Sequence, residues 1–514
     1  MKKFNLVFAL LIFAFCNTAS CVREPESIKT TIQTKHGLVK GLPNESNTVV
    51  AFKGIPYAAP PVGDLRWREP QPPVSWEGVR DASKFCDSCM QLDPMQFGPY
   101  TDEFLNRDSF SEDCLFLNIW TPAITASDNL AVLVYIHGGG FSGGSGSIVI
   151  YDGEELAKKA VIVITINYRV GPLGFLSHPE LTAESPNKAS GNYGLLDMIA
   201  ALRWIKTNIT AFGGDPNRVC ISGQSAGAMA VNALIASPLA EGLFQRAIAQ
   251  SGSSYTGTFS GASAELREAE AKGLEFAKKR GAASLAELRA MSASEIVGPP
   301  ATSFPPSGPR FSPVIDGYVL VDNSIAIFKK GKQNDVPFMT GFNSGETSLT
   351  GGFIGNKSEV FLTLYSPNNN GDPSLEEKVA AQEQMRLNAF LWLEQREKTS
   401  NTNGYIYYFD QAIPWPEHPE FGAFHTSEVL YVFRNFKTLD RPWTAVDTIV
   451  SDRMSSYWVN FINNGDPNGE GLPEWRAFDS NDRSVMRLSE DMGMIPVAAS
   501  EERFNFLKEQ LLGP

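Results

Sequence analysis

The chain has 514 residues, 43% of them hydrophobic and 20% charged, with a formal net charge of −13. This is the composition of a folded chain with a large buried core. The densest basic run is only Lys278-Lys279-Arg280, which excludes the concentrated positive surface that a nucleic-acid partner requires, and the acidity is read as a solubility device.

In chain order, Lys2 and Lys3 precede an apolar run from Phe4 to Phe15, followed by the small residues Thr18, Ala19 and Ser20. That order predicts a signal peptide over residues 1–20: the run is too short to span a bilayer comfortably, and Arg23 to Glu26 is polar. Small residues directly before Cys21 also resemble a lipoprotein processing site, although Thr18 stands where such sites usually carry Leu. Two expectations stay open, a lipid anchor on Cys21 and plain secretion, and the chain is expected outside the cytoplasm, whether secreted, periplasmic or membrane-anchored. Cys86, Cys89, Cys114 and Cys220 would then meet an oxidising compartment, where one bridge is plausible. Cys220 reads as a small hydrophobe in a buried strand, and Cys86-x-x-Cys89 lacks the second pair or nearby His of a zinc motif.

Residues 25–510 read as one unit without a clean linker. Short strands are expected between Thr30 and Gly54, then an irregular Pro-rich stretch from Pro56 to Pro73. Leu130–His137 and Ala160–Tyr168 are near-continuous apolar runs, as in strands buried on both faces, with a helix-like Gly153–Lys159 between them. Leu195, Met198, Ile199, Leu202 and Ile205 follow helical spacing within Gly194–Ile209. Another strand, Arg218–Ser222, leads through a Gly-rich turn into a helix near Ala226. Beyond it, Ser260–Gly298 predicts a helical excursion and Pro299–Pro313 a loop. A strand at Val336–Phe342, a helix at Leu375–Glu397, a strand at Gly404–Phe409 and a helix at Ala445–Asn463 complete the pattern. Alternating strands and helices predict an α/β fold, a mostly parallel sheet with helices on both faces.

Gly223-Gln224-Ser225-Ala226-Gly227 has the form GxSxG where a predicted strand meets a helix, the context in which a strained turn lifts a serine hydroxyl into a cleft. Without that context the motif would be an ordinary Gly/Ser loop. A serine needs a base, and after His178 only His418 and His425 remain. His418 lies in a polar loop; His425, just before the apolar Val429–Phe433, is favoured. The orienting acid should follow a strand between Ser and His, and both Glu346 and Asp316 satisfy that condition, with Glu346 slightly ahead. His137-Gly138-Gly139-Gly140-Phe141 follows a predicted strand and could present backbone N–H groups to an oxyanion, its bland alternative being a flexible turn.

Together these segments resemble the type-B carboxylesterase and cholinesterase family over nearly the whole chain after the signal peptide. The strongest likenesses are FGGDPNRVCISGQSAGA (Phe212 to Ala228) and EDCLFLNIWTP (Glu112 to Pro122), with weaker ones at Phe52–Trp67, Asn167–Leu176, Asn192–Trp204 and Trp458–Asn468 in the family's order. The resemblance implies the α/β-hydrolase fold and a triad of Ser225, Glu346 and His425, moving Glu346 clearly ahead of Asp316. It further implies an oxyanion hole of Gly139, Gly140 and Ala226, and a buried second serine at Ser251 that would otherwise be simple packing. It also implies a Cys89–Cys114 disulfide, with Cys86 the rival for that pairing, and the ion pairs Arg66–Glu112 and Arg169–Asp197. No metal or organic cofactor is implied, and no oligomeric state.

Three features depart from the family pattern. Gln224 stands where the family often has Glu. Glu346 and His425 are 79 residues apart, a short interval that predicts a trimmed cap and a wider gorge. Between Cys89 and Cys114 there is no Trp to face a quaternary ammonium, only Phe97, Tyr100, Phe104 and Phe110, which argues against a choline ester. The expected activity is hydrolysis of carboxylic esters. The rival from another class is a hydrolase-fold binding protein without catalysis, and retention of every catalytic group weighs against it.

Overall fold

A computed structural model describes residues 28–256, 264–299, 309–346, 353, 355–366 and 373–513. The predicted signal peptide and Cys21 lie outside these residues, as does most of the Pro299–Pro313 loop. So do residues 347–352, 354 and 367–372, part of the interval on which the predicted trimmed cap and wider gorge rest.

Eleven strands of the described residues form one sheet. In chain order they are β1 (Leu42–Pro43), β2 (Val50–Pro56), β3 (Phe116–Thr121), β4 (Leu130–Ile136), β5 (Ile162–Ile166) and β6 (Gly214–Gln224). They continue with β7 (Arg246–Gln250), β8 (Phe338–Asn343), β9 (Gly404–Phe409), β10 (Ser484–Leu488) and β11 (Gly493–Pro496). Their spatial order is β11-β10-β9-β8-β7-β6-β4-β5-β3-β2-β1. Every pairing from β10 to β5 is parallel. The outer pairings, β5 with β3, β3 with β2, β2 with β1 and β10 with β11, are antiparallel. The expected parallel sheet is thus the centre of a larger mixed one.

Strand alternation divides the core between two faces. Val132, Val134 and Ile136 join one apolar cluster while Ala131, Leu133 and Tyr135 join the other. Helix α1 (Tyr193–Asn208) buries Leu195, Met198, Ile199, Leu202 and Ile205 in the first cluster, as their spacing predicts. The same cluster takes up α2 (Ala226–Ala236), whose small residues allow close approach to the sheet, and α3 (Pro373–Glu397) through Leu387, Phe390 and Leu391. The opposite face is covered by α4 (Ser427–Phe433) and α5 (Ala445–Asn464). A Thr444–Asp447 capping box starts α5, and Gly465, at φ 79°, ends it.

The topology positions the site. β4 has β5 on one side and β6 on the other, so the strand order reverses about it, and the crevice outside the carboxyl ends lies there. Ile136 pairs with Gly223, Gln224 with Gln250, and Gln250 with Gly341. The segments leaving β4, β6, β7 and β8 therefore emerge side by side at one edge.

Candidate active site

Ser225 sits between β6 and α2 at φ 57° and ψ −123°, a conformation that costs an L-residue about 1–3 kcal/mol. The surroundings hold it there: its N–H donates to Gln250 O at 2.8 Å, and its own carbonyl accepts from Met229 N–H at 2.9 Å. The turn needs glycine on both sides for steric reasons. A Cβ at Gly227 would strike the Ile136 carbonyl oxygen, and one at Gly223 the backbone of Gly227.

The segment after β4 passes directly over this turn. A Cβ at Gly138 would lie 3.1 Å from that of Ser225. Gly139 and Gly140 adopt φ 109° and 64°, values L side chains rarely adopt, and both are exposed. Their N–H groups and that of Ala226, the first residue of α2, are available to the cleft in a way side chains would obstruct. Behind them His137 stacks on Tyr168 with ring centroids 4.3 Å apart. Burial pushes its pKa down to about 4, so this imidazole stays neutral.

His425 lies at the entry to α4 and is buried, with Nδ1 2.6 Å from Glu346 Oε2. The other Glu346 oxygen accepts from the Ser251 hydroxyl at 2.6 Å and the Asn343 N–H at 3.1 Å. Ser251 thus bonds the Glu346 carboxylate in addition to packing. Burial opposes charge on the imidazole, but the charge and hydrogen bond of Glu346, with the charge of Glu428, outweigh it, and His425 titrates above its ordinary 6.5. With Nδ1–H directed at a carboxylate, Nε2 carries the lone pair.

The alternatives are engaged elsewhere. Asp316 Oδ1 accepts the N–H groups of Tyr318, Val319 and Leu320 at 2.8–3.0 Å, capping its own turn. His418 is exposed, 3.0 Å from Glu420, and stacks on Phe421. Cys89 and Cys114 form the disulfide, while Cys86 remains a thiol. The bridged loop packs against the histidine segment: the Tyr100 hydroxyl donates to His425 O at 2.9 Å, and Phe104 meets Phe424 edge-on at 5.4 Å. Arg66–Glu112 and Arg169–Asp197 are both ion pairs, at 2.5 and 2.7 Å.

Sequence reasoning missed Glu428. It is fully buried on α4, accepting Asn343 Nδ2–H at 2.6 Å and Gln250 Nε2–H at 3.1 Å. Burial pushes its carboxyl up to about 7; the Asn343 bond opposes that rise and the charge of Glu346 adds to it. The available signal was a lone acid three residues after His425, abutting the apolar run Val429–Phe433. Among the described residues, no group of three or more His, Cys, Asp or Glu could hold a metal ion.

The sequence matches the carboxylesterase family over residues 28–372 and 380–507. It is 36% identical to the fumonisin B1 esterase of Sphingopyxis macrogoltabida, across 92% of this chain and 90% of that one. With the para-nitrobenzyl esterase of Bacillus subtilis it shares 35% identity, across 92% and 97%. The crystal structure of a Geobacillus stearothermophilus carboxylesterase superposes with a TM-score of 0.75 at 31% identity, covering 93% of this chain and all of that one. The fold is accordingly that of the α/β-hydrolases. A serine held on a strained strand-to-helix turn beneath a glycine loop, with a buried histidine–carboxylate pair beside it, accompanies a match across nearly all described residues: the chain belongs to the carboxylesterase family.

Proposed function

We propose that this carboxylic ester hydrolase works through an acyl-enzyme on Ser225. The observation that carries the reading is the buried His425–Glu346 pair at 2.6 Å, whose Nε2 is brought to the serine turn, 3.0 Å from the side-chain nitrogen of Gln224. The Ser225 hydroxyl attacks the ester carbonyl as His425 Nε2 takes its proton. Glu346 holds the resulting imidazolium through Nδ1, and the N–H groups of Gly139, Gly140 and Ala226 receive the oxyanion. The imidazolium then protonates the departing alcohol, and water, deprotonated by the same histidine, releases the acid. The substrate is a neutral or anionic carboxylic ester rather than a choline ester: the bridged loop has no Trp, and its Tyr100 and Phe104 are buried against Phe424, which leaves only the half-buried Phe97 and Phe110 to meet a cation.

Incubation with a fluorophosphonate probe and a short-chain aryl ester tests this reading. Expected are a stoichiometric adduct on Ser225 and steady turnover that the adduct abolishes. Absence of both in folded protein would favour the binding-protein alternative.

Export through residues 1–20 is part of the same proposal, supported by their charge and apolar order. Intact-mass measurement of membrane and soluble fractions distinguishes its two forms. A chain starting at Cys21 with a diacylglycerol mass is the anchored form, and an unmodified chain lacking the apolar run is the secreted one. A mature protein retaining Phe4–Phe15 contradicts both.

A further inference from the structure

Gln224, the residue before the nucleophile, is buried, and its side-chain amide nitrogen lies 3.0 Å from His425 Nε2. The direction of that hydrogen bond follows from the other end of the ring. In the neutral ring Nδ1–H points at Glu346, Nε2 bears the lone pair and the amide N–H donates to it. A protonated imidazole would present an N–H to an N–H at this contact, so the bond in this amide orientation belongs to the neutral ring, and the imidazolium would be met only after the amide turns its oxygen inward.

We infer that Gln224 is a positioning residue that holds His425 in its neutral, proton-accepting form by donating an amide hydrogen bond to Nε2. The assignment rests on His425 being the base of the proposed reaction.

The need for such a device is electrostatic. The groups facing His425 are the Glu346 carboxylate after β8, the Glu428 carboxylate from α4 and the Tyr100 hydroxyl on its own carbonyl oxygen, with the Tyr407 hydroxyl of β9 near both acids. Glu346 first, and Glu428 to the extent that it is ionised, favour the imidazolium, and an imidazolium cannot accept the serine proton. A donor to the neutral ring acts in the opposite sense. A glutamate at position 224 would put a third carboxylate against the ring and could only accept from the imidazolium. The glutamine removes that charge and, in the orientation observed, supplies a donor to the neutral ring. As the ester enters, the Ser225 hydroxyl displaces the amide from the lone pair. The amide thus favours the reactive protonation state without taking part in proton transfer.

The acid limb of the kcat/KM–pH profile reads this directly, because activity requires neutral His425 and falls as pH drops through its pKa. Gln224→Met, which keeps the volume and removes the donor, is expected to move the limb upward by about half a unit to one unit, the worth of one hydrogen bond. Gln224→Glu, nearly identical in shape, is expected to move it further, by more than about one unit. Because the amide leaves Nε2 before the serine proton is taken, Gln224→Met should match the parent below the limb and exceed it by up to about tenfold on the alkaline plateau. A merely structural role would lower the plateau or the melting temperature and leave the limb in place. Limbs that coincide across the three proteins, or a Gln224→Met limb below that of the parent, would overturn the inference. Failure of the underlying base assignment looks different: His425→Ala would then turn over like the parent.

Discussion

Ser225→Ala is expected to lower kcat roughly 10⁶-fold and abolish fluorophosphonate labelling, with little change in thermal stability. The substitution removes one oxygen and nothing that holds the turn. The bonds from Ser225 N–H to Gln250 O and from Met229 N–H to Ser225 O are backbone to backbone. The strain at φ 57° is common to Ser and Ala, and the close packing beneath the turn comes from Gly223 and Gly227. Alanine therefore separates the chemistry from the scaffold. The oxyanion donors remain, and a residual rate of about 10³–10⁴ over water is their expected signature. Steady-state kinetics on an aryl ester and a thermal melt monitored by circular dichroism provide both readings. A loss smaller than about a hundredfold in a variant that still melts like the parent would mean that another nucleophile carries the acyl group.

The fold was legible where side-chain chemistry alone declares burial, and obscure where burial is conferred by neighbours. Leu130–Ile136 and Ile162–Ile166 are apolar or β-branched throughout, the signature of a strand buried on both faces. Arg246–Gln250 lies between two of the central strands, yet its sequence RAIAQ is short and alanine-rich, with polar residues at both ends. Its strand character comes from the pairings to β6 and β8, which a local window does not contain. Phe116–Thr121 escaped for a related reason. Its Asn118 is buried because the side chain bonds Gly54 N–H and Thr165 Oγ1, partners distant in sequence.

The site divides along the same line. Ser225, its flanking glycines and the glycine run after β4 form local motifs, because a strained turn needs particular residues next to one another. Glu346 and Asp316 both follow short strands, and position put Glu346 only slightly ahead. The family likeness widened that lead, and in the structure Asp316 accepts three N–H groups of its own turn. The polar bed beneath the triad left almost no local trace: Gln250 reaches Glu428 across 178 residues, and Asn343 reaches it across 85. Gln224 was visible as a missing charge. Its bond to His425 spans 201 residues and needed the tertiary structure.

Glu346→Gln is expected to lower kcat about 10⁴-fold, while Asp316→Asn leaves it within about twofold. In the first variant the shape survives. With its amide oxygen turned toward Ser251 and Asn343, the glutamine still accepts from the Ser251 hydroxyl and the Asn343 N–H. What is lost is the charge opposite Nδ1, and an amide nitrogen turned toward the ring would fix the wrong tautomer. The pH profile discriminates further. Glu346 raises the pKa of His425, so its removal weakens the base and the acid limb should move to lower pH, opposite to the shift expected for Gln224→Glu. Glu428 does not compensate, because Asn343 and Gln250 already hold its two oxygens. Asparagine at 316 keeps an oxygen for the three backbone N–H groups of its turn, and its effect should be confined to stability, at about 1 kcal/mol or less. The reverse outcome, an inactive but folded Asp316→Asn beside an active Glu346→Gln, would move the acid of the triad to the other strand end. It would also leave the 2.6 Å bond to His425 without a catalytic role. Opposite displacements of the limb by substitutions at the two ends of one imidazole would show that Glu346 and Gln224 pull on the same proton affinity from either side.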